Sequence, residues 1–143
     1  MKIALGFTFA VAALIAGCAV KGDPIEFSKA CAVENDGKNF QISGVLSPRS
    51  TMLCSDRGGR MECPFDLLEA AGSEKKIGAD IEVGTGANTM DEVAKNYKKE
   101  ELKVRDNAGN SLTLGSDQLK VTGKLSVSPD AKACFMQVYK IEH

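Results

Sequence analysis

The amino-acid sequence predicts a mainly β domain with one short helix and two disulfide bonds. Apolar and polar residues alternate in several short segments, which is the period-2 pattern of half-buried strands. Glycine and proline separate these segments, as is typical of turns. Four of the five cysteines follow residue 30, and an even number of this kind is typical of a disulfide framework.

The first half of the domain is predicted to be sheet and turns. A first strand spans about 39–46 and ends before Pro48. A cysteine-containing hairpin follows and runs to about Leu68, and 70–76 is a polar turn region. A short strand over 79–83 comes next.

A glycine-rich loop after this strand is the first candidate for a binding site. Gly84 and Gly86 lie beside Thr85 and Asn88, and such a loop exposes backbone N–H donors. It is not a phosphate-binding P-loop, which needs four residues between its glycines and a following Lys-Ser or Lys-Thr. A flexible turn is the structural alternative.

The segment after the loop predicts the one helix, over Met90 to Lys99. Thr89 and Glu92 have the spacing of a capping box. Val93 and Tyr97 would share one face of this helix. Basic residues at its end would interact favourably with the helix dipole.

A second hairpin is predicted from 102–105 and 111–114, around a turn at 106–110. The turn is rich in Asp and Asn but lacks the ligand spacing of a calcium-binding EF-hand. Its third position is Ala108 and its twelfth is Asp117, where that loop needs an acidic or amide ligand and a glutamate.

Two longer strands complete the domain, over 118–127 and 133–141. In the second, Cys134 and Val138 share one parity whereas Ile141 has the other. This slip predicts a bulge, or burial on both faces.

The N terminus has the features of a secretory signal. Lys2 is the only charge in the first 20 residues, and the 13-residue run from Ile3 to Ile15 is almost wholly apolar. This run is shorter than the roughly 20 residues that a spanning helix needs. The following stretch, Leu14 to Cys18, resembles the lipobox of bacterial lipoproteins. Ordinary cleavage near Ala16-Gly17 is the alternative.

The lipobox resemblance implies that Cys18 becomes the first mature residue and carries the lipid anchor. Two or three acyl chains, as such lipoproteins carry, attach a protein stably to a membrane. Ala19 resembles the outer-membrane default rather than inner-membrane retention. We therefore expect a signal peptide at 1–17, a lipid anchor and linker at 18–30, and one domain at 31–143 in the cell envelope, at the outer membrane and facing the periplasm.

Export places Cys31, Cys54, Cys63 and Cys134 in an oxidising compartment. Gly58-Gly59 suits a two-residue hairpin turn, and a turn centred there pairs Cys54 with Cys63. Their Cα atoms would be about 4.5 Å apart, within the disulfide range. Cys31 and Cys134 are then left to each other. Zinc binding is disfavoured because there is no Cys-x-x-Cys pair and no second histidine.

Two segments resemble an OB-fold, a small five-stranded barrel. The first is 40–46, and the second is made of three pieces, 102–106, 121–125 and 138–142. Gly44 and Gly123 match positions where barrel strands bend sharply. The resemblance implies an OB-like antiparallel barrel of five to seven strands, with the cysteine hairpin and the glycine-rich loop as insertions.

Composition limits the choice of partner. Without Lys2, the 18 Lys and Arg become 17 against 19 Asp and Glu, a net charge of about −2. There is no tryptophan, and most of the other aromatic residues are needed for a core. A nucleic-acid partner, which needs basic and stacking surfaces, is therefore not expected.

No catalytic constellation is visible in the sequence. The sole histidine is the C-terminal His143, which we expect to be frayed. No serine lies in a nucleophile elbow, and no cofactor is implied. We expect a non-catalytic envelope module that binds another envelope protein, peptidoglycan or a small ligand. The alternative is an inhibitor of a foreign hydrolase, which would use a protruding loop at 84–88 or at 56–61.

Overall fold

A computed structural model describes residues 19–143, so Cys18 and the predicted signal peptide lie outside the described residues. Within that range the chain forms one sheet of seven strands. The strands are β1 (Asp23–Pro24), β2 (Asn39–Pro48), β3 (Ser55–Asp56), β4 (Met61–Leu68), β5 (Lys76–Glu82), β6 (Gln118–Val127) and β7 (Cys134–Glu142). The helical elements are α1 (Phe27–Ala30) and two 3-10 turns, Val33–Asn35 and Lys99–Glu101.

Five of these strands form a closed barrel. The order around it is β2, β6, β7, β5, β4, and β4 pairs with β2 to close the ring. Every neighbouring pair is antiparallel except β5 with β7, which is parallel. The predicted OB-like barrel is therefore confirmed. At its edges, β1 pairs with β2 and β3 pairs with β4.

The barrel is filled by the inward-facing residues of each strand. Phe65 and Leu67 on β4, Ile81 on β5 and Leu125 on β6 have no exposed surface. Burial of each such side chain stabilises the fold by about 1.5–3 kcal/mol. Since side chains alternate along a strand, the residues between them face outwards and form the surface of the candidate site.

Both predicted disulfide bonds are confirmed. Cys54 and Cys63 are bonded with their Cα atoms 4.1 Å apart, and Cys31 and Cys134 with theirs 5.7 Å apart. The hairpin has the register expected for a turn at Gly58-Gly59, and both glycines have positive φ, which this turn requires. The second bridge ties the end of α1 to the start of β7.

The predicted irregularity in the last strand is a bulge. The pairing of β7 with β6 shifts register between Thr122 and Gly123, which leaves Tyr139 outside the ladder. Apolar residues before and after Tyr139 therefore both face the core. A Cβ at Gly123 would lie 2.1 Å from the carbonyl oxygen of Gln137, so only glycine permits this close approach.

The predicted helix over Met90–Lys99 is wrong. Met90 is fully buried and forms isolated β-bridges with Val83 and Val104. The Thr89 hydroxyl donates a hydrogen bond to a carbonyl of the glycine-rich loop instead of capping a helix. A helix cap contributes only about 1 kcal/mol, which is less than burial of a methionine side chain. The α-helix of the described residues is α1, before the barrel.

Two other expectations need correction. The cysteine hairpin is not an insertion in the barrel, because its second arm is the barrel strand β4. Residues 102–106 do not form a barrel strand but lie, with the glycine-rich loop, in the connection between β5 and β6. Within the described part of the predicted linker, Asp23 pairs with Phe40 and Ala30 is buried.

The second predicted hairpin is present only in part. Arg105 bridges Ser111, and neither arm continues into a strand of the sheet. Its turn is confirmed, because Asp106 Oδ1 accepts the backbone N–H groups of Ala108 at 2.9 Å and of Asn110 at 2.8 Å. An aspartate that bonds its own turn in this way stabilises the turn locally.

We expect loss of the Cys31–Cys134 bond to destabilise the protein more than loss of the Cys54–Cys63 bond. The two sequence separations are 103 and 9 residues. The chain-entropy model assigns about 4.7 kcal/mol to the longer loop and about 2.7 kcal/mol to the shorter one. Urea unfolding of the C31S/C134S and C54S/C63S variants measures both losses. A larger loss in the hairpin variant would contradict this order.

Candidate ligand-binding site

A cleft with a volume of about 670 Å³ lies on the outer face of β4, β5 and β7. The segments that flank it are 48–51, which follows β2, and 131–135, which leads into β7. OB barrels bind ligands on the face of their second and third strands, which here are β4 and β5. The loop between the first two barrel strands and the loop between the last two also contribute to such sites. The cleft therefore lies where the fold favours a site.

An arginine in the cleft is held by one side of its guanidinium group. Arg49 Nε donates to Asp66 Oδ1 at 2.9 Å, and Lys76 Nζ lies 3.2 Å from Asp66 Oδ2. Neither Nη group of Arg49 donates a hydrogen bond within residues 19–143. A guanidinium group oriented in this way presents donors in the geometry that matches a carboxylate or phosphate.

The floor of the cleft is a glycine beside an exposed aromatic ring. A Cβ at Gly78 would lie 2.7 Å from the Phe135 ring and 3.1 Å from Nη2 of Arg49. Both groups therefore lie against the bare backbone of Gly78. Phe135 is 43% exposed, and its ring offers a flat apolar surface.

The cleft carries excess positive charge. Arg49, Lys76 and Lys132 line it, and Asp66 is the acidic residue of its lining. The Lys132 side chain is 84% exposed and its Nζ lies 3.8 Å from Asp130 Oδ2, and such an exposed ion pair contributes little. Three cations against one carboxylate give a net charge of +2, which favours an anionic ligand.

The sequence did not single out these residues. Phe135 has the opposite parity to its apolar neighbours Cys134 and Met136, which was the available signal that it faces outwards. Arg49 gave no such signal, since its partner Asp66 belongs to another strand. The cleft residues meet only through strand pairing.

The glycine-rich loop that we predicted as a binding site lies away from this cleft. Asn88 has a φ of 60°, and its Oδ1 accepts the Ile141 N–H at 2.8 Å. Gly84 N donates to the Met90 carbonyl oxygen at 2.8 Å. Thr85 and Gly86 are exposed. A ligand-binding role for this loop stays a prediction, as does one for the exposed hairpin tip.

The C terminus differs from our expectation of a frayed end. His143 Nδ1 lies 3.0 Å from Asp106 Oδ2, and Nε2 lies 3.3 Å from Asp117 Oδ2. These hydrogen bonds, chiefly that to Asp106, raise the pKa of His143 above 6.5. The backbone N–H of Asn110, more than His143, lowers the pKa of Asp106. The two carboxylates hold the last residue against the 106–110 turn.

No family model, curated protein or solved structure matches this chain significantly. Among residues 19–143, no helix is long and apolar enough to cross a membrane. The same residues contain no group of three or more His, Cys, Asp and Glu placed to hold a metal ion.

The His143 contacts predict a pH-dependent stability. Because the folded pKa is raised above 6.5, this contribution is fully present below that pH and is lost as the pH rises through the folded pKa. Since the chain has one histidine, NMR titration of the untagged protein reads its pKa directly. We expect a pKa above 6.5 that D117N lowers, and an H143Q variant that lacks this pH dependence. A pKa of 6.5 or below would refute the contacts.

Proposed function

We propose that this protein is a lipid-anchored, non-catalytic binding module of the cell envelope, and that its cleft binds an anionic group of an envelope component. The observation that carries the proposal is the orientation of Arg49. Asp66 fixes one side of the guanidinium group, Nη2 lies over Gly78 beside the Phe135 ring, and neither Nη group donates a hydrogen bond among residues 19–143. A pre-oriented donor pair beside an apolar surface is typical of a binding site.

The anchor is supported by the sequence. The stretch from Leu14 to Cys18 has the residue order of a lipobox. Acylation of Cys18 would hold the domain at the outer membrane, on the side that faces the periplasm. Two disulfide bonds fit an oxidising compartment. Both observations are consistent with an envelope location.

The ligand class follows from the size and charge of the cleft. One exposed ring, Phe135, lines it, whereas single-stranded nucleic acid is bound by several stacking aromatic residues. An acidic group on a short, partly apolar chain fits better. We propose the carboxylate groups of peptidoglycan peptides as this ligand. An acidic segment of an envelope protein is the other outcome of the experiment below.

We expect R49Q to reduce binding to purified peptidoglycan by about tenfold, the loss of one charge-assisted hydrogen-bonding group. R49K keeps the charge but not the planar pair of donors, and should also weaken binding. Cosedimentation with insoluble peptidoglycan measures the affinity. K120Q is the matched control, since Lys120 is an exposed cation on β6, outside the cleft.

Equal binding by R49Q and the unmodified protein would refute the proposed cleft. A loss of the same size in K120Q would show that binding depends on overall charge. A third outcome is that peptidoglycan is not bound, while an envelope protein is crosslinked to the unmodified protein and not to R49Q. This outcome would support the cleft as the binding site and identify an acidic protein segment as its ligand.

The anchor is tested separately with C18S in the full chain. Serine cannot accept the lipid through a thioether, so we expect C18S to accumulate as a precursor that keeps residues 1–17. We also expect this precursor to be absent from the lipoprotein fraction that detergent extracts. Intact-mass analysis and membrane fractionation measure both effects. A19S, which leaves the Leu14–Cys18 stretch unchanged, is the control. Unchanged processing of C18S would show that the segment is an ordinary signal peptide.

A further inference from the structure

A second polar cluster lies on the same outer face, beyond the cleft and beside the cysteine hairpin. Glu62 on β4 and Asp80 on β5 are both outward-facing and yet only 3% and 7% exposed. Their positions are diagonal, because Pro64 rather than Glu62 is opposite Asp80. Diagonal neighbours on one face of a sheet are close enough for long side chains to meet. The fold therefore buries two carboxyl groups side by side.

One buried oxygen of Glu62 makes no hydrogen bond among the described residues. Gln137 Nε2 donates to Glu62 Oε1 at 2.6 Å, and the Tyr139 hydroxyl donates to Gln137 Oε1 at 3.0 Å. These two bonds fix the orientation of the Glu62 carboxylate. Its other oxygen, Oε2, is buried and has no hydrogen-bond partner among residues 19–143. A buried, unpaired acceptor of this kind is costly, so it indicates a missing donor.

Arg57, at the hairpin tip, is the cation that faces the two carboxyl groups, but it is a poor partner for them. Its Nε lies 3.8 Å from Glu62 Oε2 and its Nη2 lies 3.3 Å from Asp80 Oδ2, and neither contact is a hydrogen bond. The Arg57 side chain is 57% exposed. Burial raises the pKa of Asp80, and the charges of Arg57 and Arg49 offset this only in part. One exposed arginine thus covers two buried carboxyl groups without satisfying them.

We infer that Glu62 and Asp80 form a binding site for a primary ammonium group of a partner, such as a lysine side chain, and that Arg57 occupies this site in the absence of the partner. An ammonium group supplies three donors in a compact volume. It can reach Glu62 Oε2 and Asp80 Oδ2 together once the Arg57 side chain turns into solvent. This site lies outside the proposed anion cleft, although the charge of Arg49 also acts on Asp80.

An organic cation fits the cluster better than a metal ion. The cluster contributes two carboxyl groups, whereas Ca²⁺ takes six to eight oxygen ligands. Gln137 presents its NH₂ group, not its carbonyl oxygen, to Glu62. The described residues also contain no group of three or more potential ligands around a metal position. The guanidinium group of Arg57 already lies over the carboxyl groups as an organic cation.

The test uses tri-lysine peptide as the probe and the backbone amide shifts of Glu62, Asp80 and Gln137 as the readout. Because Arg57 competes with the peptide, R57A should bind tri-lysine about tenfold more tightly than the unmodified protein. R60A is the matched control, since Arg60 lies across the same turn and faces Glu82 at 3.9 Å. The double variant R57A/E62Q should lose the gain, and peptide with acetylated lysines should not bind.

Unchanged or weaker binding by R57A, or an equal gain in R60A, would refute the inference. A larger response of R57A to Ca²⁺ than to tri-lysine would refute it in favour of a metal site. If R57A does not fold, the side-chain Nε–H resonance of Arg57 in the unmodified protein gives the answer. It should shift as tri-lysine displaces the guanidinium group, and no shift at saturating peptide would refute displacement. The gain produced by R57A should persist in an R49Q background, because Arg57 and not Arg49 contacts the two carboxyl groups.

Discussion

Closure of the barrel by β4 against β2 is the constraint on which the rest of the structure depends. Phe65 to Leu68 pair with Val45 to Pro48, while the other edge of β4 pairs with β5. The register that turns Phe65 into the core also turns Asp66 and Glu62 outwards, because side chains alternate along a strand. A slip of one residue would exchange core and surface. One acidic residue of each proposed site, Asp66 and Glu62, is therefore placed by the same strand that closes the core.

Features set by short stretches of chain could be predicted from the sequence. The turn at Gly58-Gly59 fixes the register of its own hairpin, and with it the Cys54–Cys63 bond. The bulge in β7 was visible as a change of parity, because core burial forces apolar residues inwards on both sides of it. The helix prediction for Met90–Lys99 was wrong because long-range contacts, and not the local sequence, determine the structure of this segment. Contacts of Met90 with Val83 and Val104, distant in sequence or across a loop, outweigh a local capping pattern.

The candidate cleft could not be predicted, since each of its contacts joins separate elements. Arg49 meets Asp66 only because β2 pairs with β4, and Phe135 lies on Gly78 only because β7 is parallel to β5. A single sequence contains no pattern that reveals a parallel pairing of this kind. The glycine-rich loop was predicted as a binding site because its glycines and polar residues form a distinctive pattern within a short stretch. In the fold, Asn88 uses its amide oxygen to hold β7 instead of facing solvent.

Two arginines of the connection between β2 and β4 illustrate how the fold gives one residue type opposite roles. Arg49 has a hydrogen-bonded carboxylate partner and shares it with Lys76, so positive charge remains at its end of the outer face. Arg57 faces two carboxyl groups and bonds neither, so negative charge remains at the other end. The Cys54–Cys63 bond lies between them and keeps the hairpin tip on β4. Because the two ends differ in sign, an anion in the cleft does not compete with a cation at Glu62.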